Sequence, residues 1–372
     1  MSGMAKRNNQ SQNGILIPTQ GVKYAGSKLK IIPYIHEIIS DLDIHTILDG
    51  FSGTTRVSQA FAQMGYDVTS NDIAYWSECF AKCYLLHDRP EGYYQELIDE
   101  LNSLEGVDGW FTENYGGDEE MTRKMPFQIK NTRKLDAIRQ RLDEMDLGDI
   151  DRAVMLTSLM LALDSVDSTL GHFSSYLSKW SARSYKDLHL KVPQLFESSG
   201  THRVFRKDIF DLLADNEYYD LVYYDPPYGS NNEKMPPSRV RYASYYHIWA
   251  TVVLNDHPAL FRKVNRREDT RDLVAGSVFE EYKKNEDGNY IAMEAIRRMI
   301  RETNARYILL SYSSGGRATK EELQDIINEC GKLEKVAEID YQKNIMASMK
   351  WTNEWLNADN GNKEYLFLMS KR

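Results

Sequence analysis

Cysteine is scarce in this sequence: three in 372 residues, an odd, small number that fits a reducing compartment and argues against a disulfide framework. Two of them, Cys79 and Cys83, precede His87 at four-residue intervals, which raises the question of a metal. On one straight helix the third group lies too far along the axis to share an ion with the first, and no second ligand pair follows. A core-facing stripe is the better reading, and no metal is expected. No apolar run approaches the ~18 residues that a membrane span needs, and no charged-then-apolar leader opens the chain. A cytoplasmic protein without a membrane partner is expected. The three-glycine spacing of a dinucleotide fold and the Lys-Ser/Thr pair of a phosphate loop are both missing. The ligand is therefore a nucleoside rather than a nucleotide. Repeats are absent, and only residues 1–18, rich in Asn, Gln, Ser and Gly, look like a mobile tail outside the fold. Positive charge is not in surplus either, with a net −9. That figure governs solubility and bulk attraction, whereas a footprint on nucleic acid needs only one basic face.

What remains is a chain with enough hydrophobic residues, 42%, and aromatics, 11%, to build a substantial core. Its length fits two domains, or one α/β domain with a large insertion. Thr46–Asp49 reads as a short buried strand. The turn Gly50-Phe51-Ser52-Gly53 follows, then a helix from Thr54, a plausible N-cap, to Met64, closed by Gly65. A second strand, Tyr66–Ser70, stops before Asp72. In a βαβ unit an acid at that distance from a glycine turn accepts hydrogen bonds from ribose hydroxyls. Helical patterns then cover Tyr75–His87, Tyr93–Leu104, Thr132–Met145 and Ile150–Val166. Sheet alternation returns only at Val204, so residues 85–200 read as an insertion in the sheet. An aromatic helix Tyr242–Leu254, a strand Tyr307–Leu310 emptying into a loop at Ser311, a helix Lys320–Cys330 and a terminal hairpin (Lys335–Tyr341 with Tyr365–Met369) complete the pattern.

The most informative segment is Asp225-Pro226-Pro227-Tyr228, at the end of the apolar run Leu221–Tyr224. Two prolines fix φ and supply no N–H, so the chain leaves the sheet stiffly with its carbonyls as acceptors. A carboxylate and a carbonyl together accept both hydrogens of an exocyclic amine, and the Tyr228 ring can stack on the heterocycle that carries it. A plain Asp-Pro turn is the alternative. Basic residues are bunched around this segment. Arg123, Lys124, Lys130, Arg133, Lys134, Arg139 and Arg141 form one cluster. Lys179, Arg183, Lys186 and Lys191, interleaved with Trp180 and Tyr185, form another, and Arg262, Lys263, Arg266 and Arg267 a third. Any single cluster reads as a solvated helix face, but three flanking a base-gripping motif point to nucleic acid.

The ordered set Lys23-Tyr24-Ala25-Gly26-Ser27-Lys28, Asp49-Gly50-Phe51-Ser52-Gly53-Thr54, Asp72, Asp208 and Asp225–Tyr228 resembles the D12 class of adenine-N6 DNA methyltransferases, related to the Dam enzyme. The likeness covers most of residues 19–372. It implies a mixed seven-stranded, doubly wound, Rossmann-like α/β sheet with a C-terminal β-hairpin and a largely helical target-recognition insertion. It implies S-adenosylmethionine as cofactor, held by Tyr24, Lys28, Asp49, Phe51, Gly53, Asp72 at the ribose, Asp208 at the adenine amine, and Asp225. Asp225, Pro226 and Tyr228 then become the catalytic clamp on a flipped adenine, and Ser311-Tyr312-Ser313 borders the same cleft. The catalytic domain is expected over 19–84 and 201–372. Trp180, Arg183, Lys186, Arg239 and Arg241 are the expected contacts to double-stranded DNA. Thr54-Thr55 stands where the family has a second glycine, which leaves the backbone approach near Thr55 open. A cognate restriction endonuclease acting separately is a possible partner, and monomer and homodimer both remain open. The rivals are an RNA adenine methyltransferase and a non-catalytic nucleic-acid-binding subunit; presence of Lys28, Asp72 and Asp225 argues against the latter.

Overall fold

The computed structural model describes residues 17–24, 26–229, 242–271, 276–281, 283–340 and 363–371. Most of the expected tail, together with Arg239 and Arg241, lies outside the described residues. In chain order the strands are β1 (Thr46–Asp49), β2 (Asp67–Asn71), the short β3 (Gly116–Gly117) and β4 (Phe127–Gln128), β5 (Arg203–Phe205), β6 (Tyr219–Tyr224), the short β7 (Leu260–Phe261) and β8 (Arg266–Arg267), β9 (Ala305–Ser313), β10 (Gly331–Asp340) and β11 (Lys363–Lys371). The α-helices are α1 (Ile32–Ile39), α2 (Arg56–Gln63), α3 (Tyr75–Leu86), α4 (Glu91–Ser103), α5 (Trp110–Tyr115), α6 (Ile129–Glu144), α7 (Asp149–Val166), α8 (Ile209–Leu213), α9 (Tyr242–Tyr245), α10 (His247–Leu254), α11 (Ile291–Glu302) and α12 (Lys320–Cys330).

Seven strands form one sheet in the order β10-β11-β9-β6-β1-β2-β5. The pairs from β9 through β6, β1 and β2 to β5 are parallel, and β11 runs antiparallel to both β9 and β10. This is the expected mixed, doubly wound α/β sheet, with β10 and β11 as its antiparallel pair. Period-2 alternation gives each strand two apolar faces. On β6, Leu221 and Tyr223 pack with Ile35 of α1 and Phe61 of α2, while Val222 and Tyr224 pack with Leu212 of α8, Met299 of α11 and Ile326 of α12. Burial on both sides is why this run reads as continuously apolar.

Helices α4 to α7 lie between β2 and β5 in the chain and build a separate core against α3 and α10, around Phe80, Tyr94, Leu159 and Trp249. Cys79 and Cys83 sit in that core, where burial pushes the Cys79 thiol up to about 12. His87 turns its Nδ1 to the Cys83 carbonyl at 3.0 Å. No described helix is long and apolar enough to cross a membrane.

Three local readings change. Helix α2 begins at Arg56 rather than Thr54, because Thr55 takes the N-cap position with φ 60°. Its carbonyl accepts the first helical bond from the Gln59 amide at 2.8 Å, and its hydroxyl is held by the Thr54 carbonyl and the Gln59 side chain. A buried threonine thus occupies a left-handed position that glycine fills without strain. The aromatic helix is broken at Tyr246, which leaves helical geometry (φ −119°, ψ 21°) and stacks on Tyr24 with ring centroids 4.5 Å apart. Strand β9 runs on to Ser313 because β11 pairs with it as far as Glu364↔Ser313.

Candidate active site

From β1 the sheet proceeds to β2 and β5 in one direction and to β6 and β9 in the other, so β1 and β6 flank a topological switch point. In open α/β sheets the crevice outside the carboxyl ends of such strands is where ligands bind. Asp49 ends β1 and Asp225 follows β6. Both line a cavity of about 620 Å³, together with Tyr24, Phe51, Asp72 and Asp208. The volume lies within the range usual for small-molecule sites.

The turn after β1 is built to bring backbone to that cavity. The Gly50 amide donates to the Tyr223 carbonyl at 3.0 Å, and a Cβ at Gly50 would lie 2.7 Å from the Tyr224 ring. The Ser52 amide reaches the Asn71 carbonyl at 2.9 Å. Asp72 accepts from the amides of Gly53 at 2.8 Å and Ala74 at 2.9 Å, tying the turn to the end of β2. Burial raises the Asp72 carboxyl above its ordinary value, against those two bonds. Asp49 accepts from Ser58 at 2.6 Å through Oδ2, while its buried Oδ1, with the Phe51 amide nearby, has no well-formed hydrogen bond among the described residues. Burial, with Asp225 and Asp72 nearby, pushes the Asp49 carboxyl up to about 7. Tyr24 packs against Tyr246 and, at 5.7 Å, Trp76. Phe51 meets Phe279 edge-on at 5.3 Å. Asp208 caps α8, accepting from the Phe210 amide at 2.8 Å. The lining is thus aromatic walls studded with carboxylates.

Asp225 stands between this cavity and a buried ionic cluster. Its Oδ1 lies 2.9 Å from Lys28 Nζ and accepts from the Tyr228 hydroxyl, leaving Oδ2 for a ligand. Burial raises its carboxyl despite the adjacent ammonium, and Glu364 pushes the same way. Lys28 is buried, its ammonium 4.6 Å from the Tyr228 ring centre and in contact with that hydroxyl. The Tyr228 carbonyl accepts from the Arg317 amide at 2.8 Å and the Tyr312 hydroxyl at 3.1 Å, and the two tyrosine rings lie 4.8 Å apart. The backbone that leaves β6 is therefore held from both ends.

The family model for D12 class N6 adenine-specific DNA methyltransferases matches residues 24–274. The chain belongs to this family. Among curated relatives, the type II methyltransferase M.FokI of Planomicrobium okeanokoites is 26% identical over 94% of this chain and 53% of its own length. The modification methylase StsI of Streptococcus sanguinis is 28% identical over 83% of this chain and 46% of its own. The type II methyltransferase M.NlaIII of Neisseria lactamica is 26% identical over 94% of this chain and 99% of its own. The chain spans about half the length of the first two.

For this D12 family chain, the structure brings every residue singled out for cofactor and base onto one cavity: Tyr24, Lys28, Asp49, Phe51, Gly53, Asp72, Asp208, Asp225, Pro226 and Tyr228. It does not treat the candidate DNA contacts alike. Arg183 is turned inward, donating to the Asp167 carboxylate at 2.7 Å and to the carbonyls of Asp167 and Thr169 at 2.8 Å. Asp167 is also held by Lys23 at 2.9 Å. Trp180 donates from its indole to the carbonyls of Asp118 and Glu119 at 3.0 and 3.1 Å, and Lys186 is exposed. Much of the first and third basic clusters is likewise internally paired: Arg133 with Asp108, Arg139 with Asp143, Arg141 with Glu100, and Arg267 with Asp256 and Asp269. Sequence reading missed Glu364, on β11, which joins the ionic cluster from 336 residues beyond Lys28. Only an acid in an otherwise apolar strand, Tyr365–Met369 following it, hinted at it.

Proposed function

We propose that this chain is a site-specific, adenine-specific DNA methyltransferase that carries a methyl group from S-adenosylmethionine to the N6 amine of an adenine flipped out of duplex DNA. The observation that carries the reading is Asp225: a buried carboxylate at the switch point, one oxygen anchored by Lys28 and Tyr228 and the other left for a ligand. The lining fits the cofactor. Tyr24, Trp76 and Tyr246 offer faces to an aromatic nucleoside, Asp72 and Asp208 offer acceptors, and the Oδ1 of Asp49 suits a cationic amine. When bound, S-adenosylmethionine supplies a methyl group made electrophilic by its sulfonium charge.

The amine of adenine is a poor nucleophile because its lone pair is delocalised into the ring. Asp225 Oδ2 and the carbonyl of Pro226 accept its two hydrogens, which draws the nitrogen toward tetrahedral geometry and frees that pair. Lys28 and Tyr228 keep the Asp225 carboxylate from rotating. A base inside a duplex cannot reach this crevice, so it must leave the stack at a cost of about a few kcal/mol.

Residues 85–200 serve, in this reading, as the target-recognition region. Trp180 bonds to the loop carrying Asp118 and Glu119, and Arg123 in that loop reaches Asn265 at 3.3 Å. The three basic clusters therefore meet, and the exposed Arg123, Lys124, Lys186 and Lys263 are its phosphate contacts. On the likeness to relatives named as modification methylases, the chain works as the modification half of a restriction-modification system. The test is expression in a host lacking adenine methylation, with modified adenines mapped across the genome. One recurrent motif modified at N6 is the expected result; an unmodified genome, from soluble protein, refutes the reading.

A further inference from the structure

Glu364 is a buried charged group, in contact with Lys28 and Tyr228, that the reaction above leaves unused. It stands on β11, 5% exposed, and a single oxygen, Oε1, lies 2.6 Å from each of Lys28 Nζ, the Ser311 hydroxyl and the Tyr228 hydroxyl, whose one proton it shares with Asp225 Oδ1. Lys28 and Tyr228 also face Asp225 Oδ1. Two carboxylates and one ammonium thus share a buried cluster of formal charge −1. Removing charge from water is costly, and Asp225 alone suffices to pair Lys28. A second carboxylate is a poor way to stabilise this fold. It acquires a use if the site must receive positive charge.

We propose that Glu364 is a positioning residue for methyl transfer: it holds Lys28 and Tyr228 against Asp225 and keeps the cluster one negative charge in surplus. The inference rests on the methyl-transfer reading. In that step the S–CH₃ bond breaks, its electron pair returns to sulfur, and a new N–CH₃ bond forms. The amine nitrogen becomes cationic until it sheds a proton to solvent. With Glu364 in place, the Lys28–Asp225–Glu364 cluster opposes that cation with a net negative charge; without it, the Lys28–Asp225 pair is neutral. Glu364 also gives Lys28 a second anchor, so the ammonium does not migrate to Asp225 Oδ2, the oxygen that accepts from the amine.

The charge and the shape of the side chain are separable. Glu364→Gln keeps the shape and removes the charge, whereas Glu364→Asp keeps the charge and shortens the arm. Three measurements are made on parent and both variants: single-turnover methylation of a duplex carrying the mapped motif, cofactor affinity by calorimetry, and the melting temperature of the cofactor-free protein. For Glu364→Gln we expect the single-turnover rate to fall by about tenfold or more, with cofactor affinity within about threefold and the melting point not lowered. Glu364→Asp should retain more activity than Glu364→Gln. A Gln variant within about threefold of the parent rate overturns the inference. So does a loss shared equally by both variants and matched by a lower melting point. If the parent itself methylates no DNA, the proposed function fails first and takes the inference with it.

Discussion

Asp49 tests the physics of the cavity because replacing it should strengthen the fold while weakening the site. Its carboxyl is fully buried, with Ser58 bonded to one oxygen and no well-formed hydrogen bond to the other among the described residues, and burial moves it from its ordinary 3.8 to about 7. A gap of that size disfavours the ionised form by roughly 4 kcal/mol. The sign follows directly. A carboxyl whose folded pKa is raised imposes no penalty below about 3.8, an increasing one up to about 7, and the full one above. Asp49→Asn keeps an acceptor for Ser58 and carries no charge, so it escapes this penalty. Urea denaturation should therefore find the variant more stable than the parent by about 2–4 kcal/mol at pH 8, with the difference shrinking to about 1–2 kcal/mol at pH 5. Calorimetry should find S-adenosylmethionine binding about 10–100-fold weaker, the loss of one charge-assisted hydrogen bond. A variant less stable than the parent at pH 8, or a stability gap that does not change with pH, refutes the reasoning.

Asp225→Ala should lower methyl incorporation by a factor of about 10²–10³ or more, while duplex binding in a mobility-shift assay stays within about threefold. Retained turnover in a tritiated-methyl assay sinks the assignment of the clamp. Arg183→Ala should cost about 1–3 kcal/mol of stability, because its inward bonds to Asp167 and Thr169 are lost and the buried Asp167 carboxylate keeps Lys23 but loses its second cationic partner. Its effect on the salt dependence of DNA affinity should be negligible. Lys186→Ala should do the reverse: no change in melting point, and a slope of log affinity against log salt reduced by about one.

The parts of this fold that could be read from the chain are those governed by neighbours. Periodicity and flanking glycines located β1, α3, α7 and α12 within a residue or two, and the apolar run into Asp225 announced β6. The acids of the cavity were legible because each follows a strand or turn that projects it. Glu364 was not, since its meaning comes from Lys28, Tyr228 and Ser311, brought to it by the pairing of β11 with β9. The basic clusters were only partly legible for the same reason. Seen along the chain they look like free positive charge, yet Asp108, Asp143, Glu100 and Asp256, all distant or on other turns, neutralise many of them. The start of α2 was misplaced because a threonine held at positive φ leaves no compositional trace.

The order of the last two strands in space is the reverse of their order in the chain. β10 is made first but lies at the sheet's rim, paired among the described residues with β11 alone, while β11 slots between β10 and β9. During synthesis β10 therefore emerges before the strand it pairs with. Its partner comes with β11, which also carries Glu364. Completion of the sheet and the last charge of the buried ionic cluster therefore depend on the same strand.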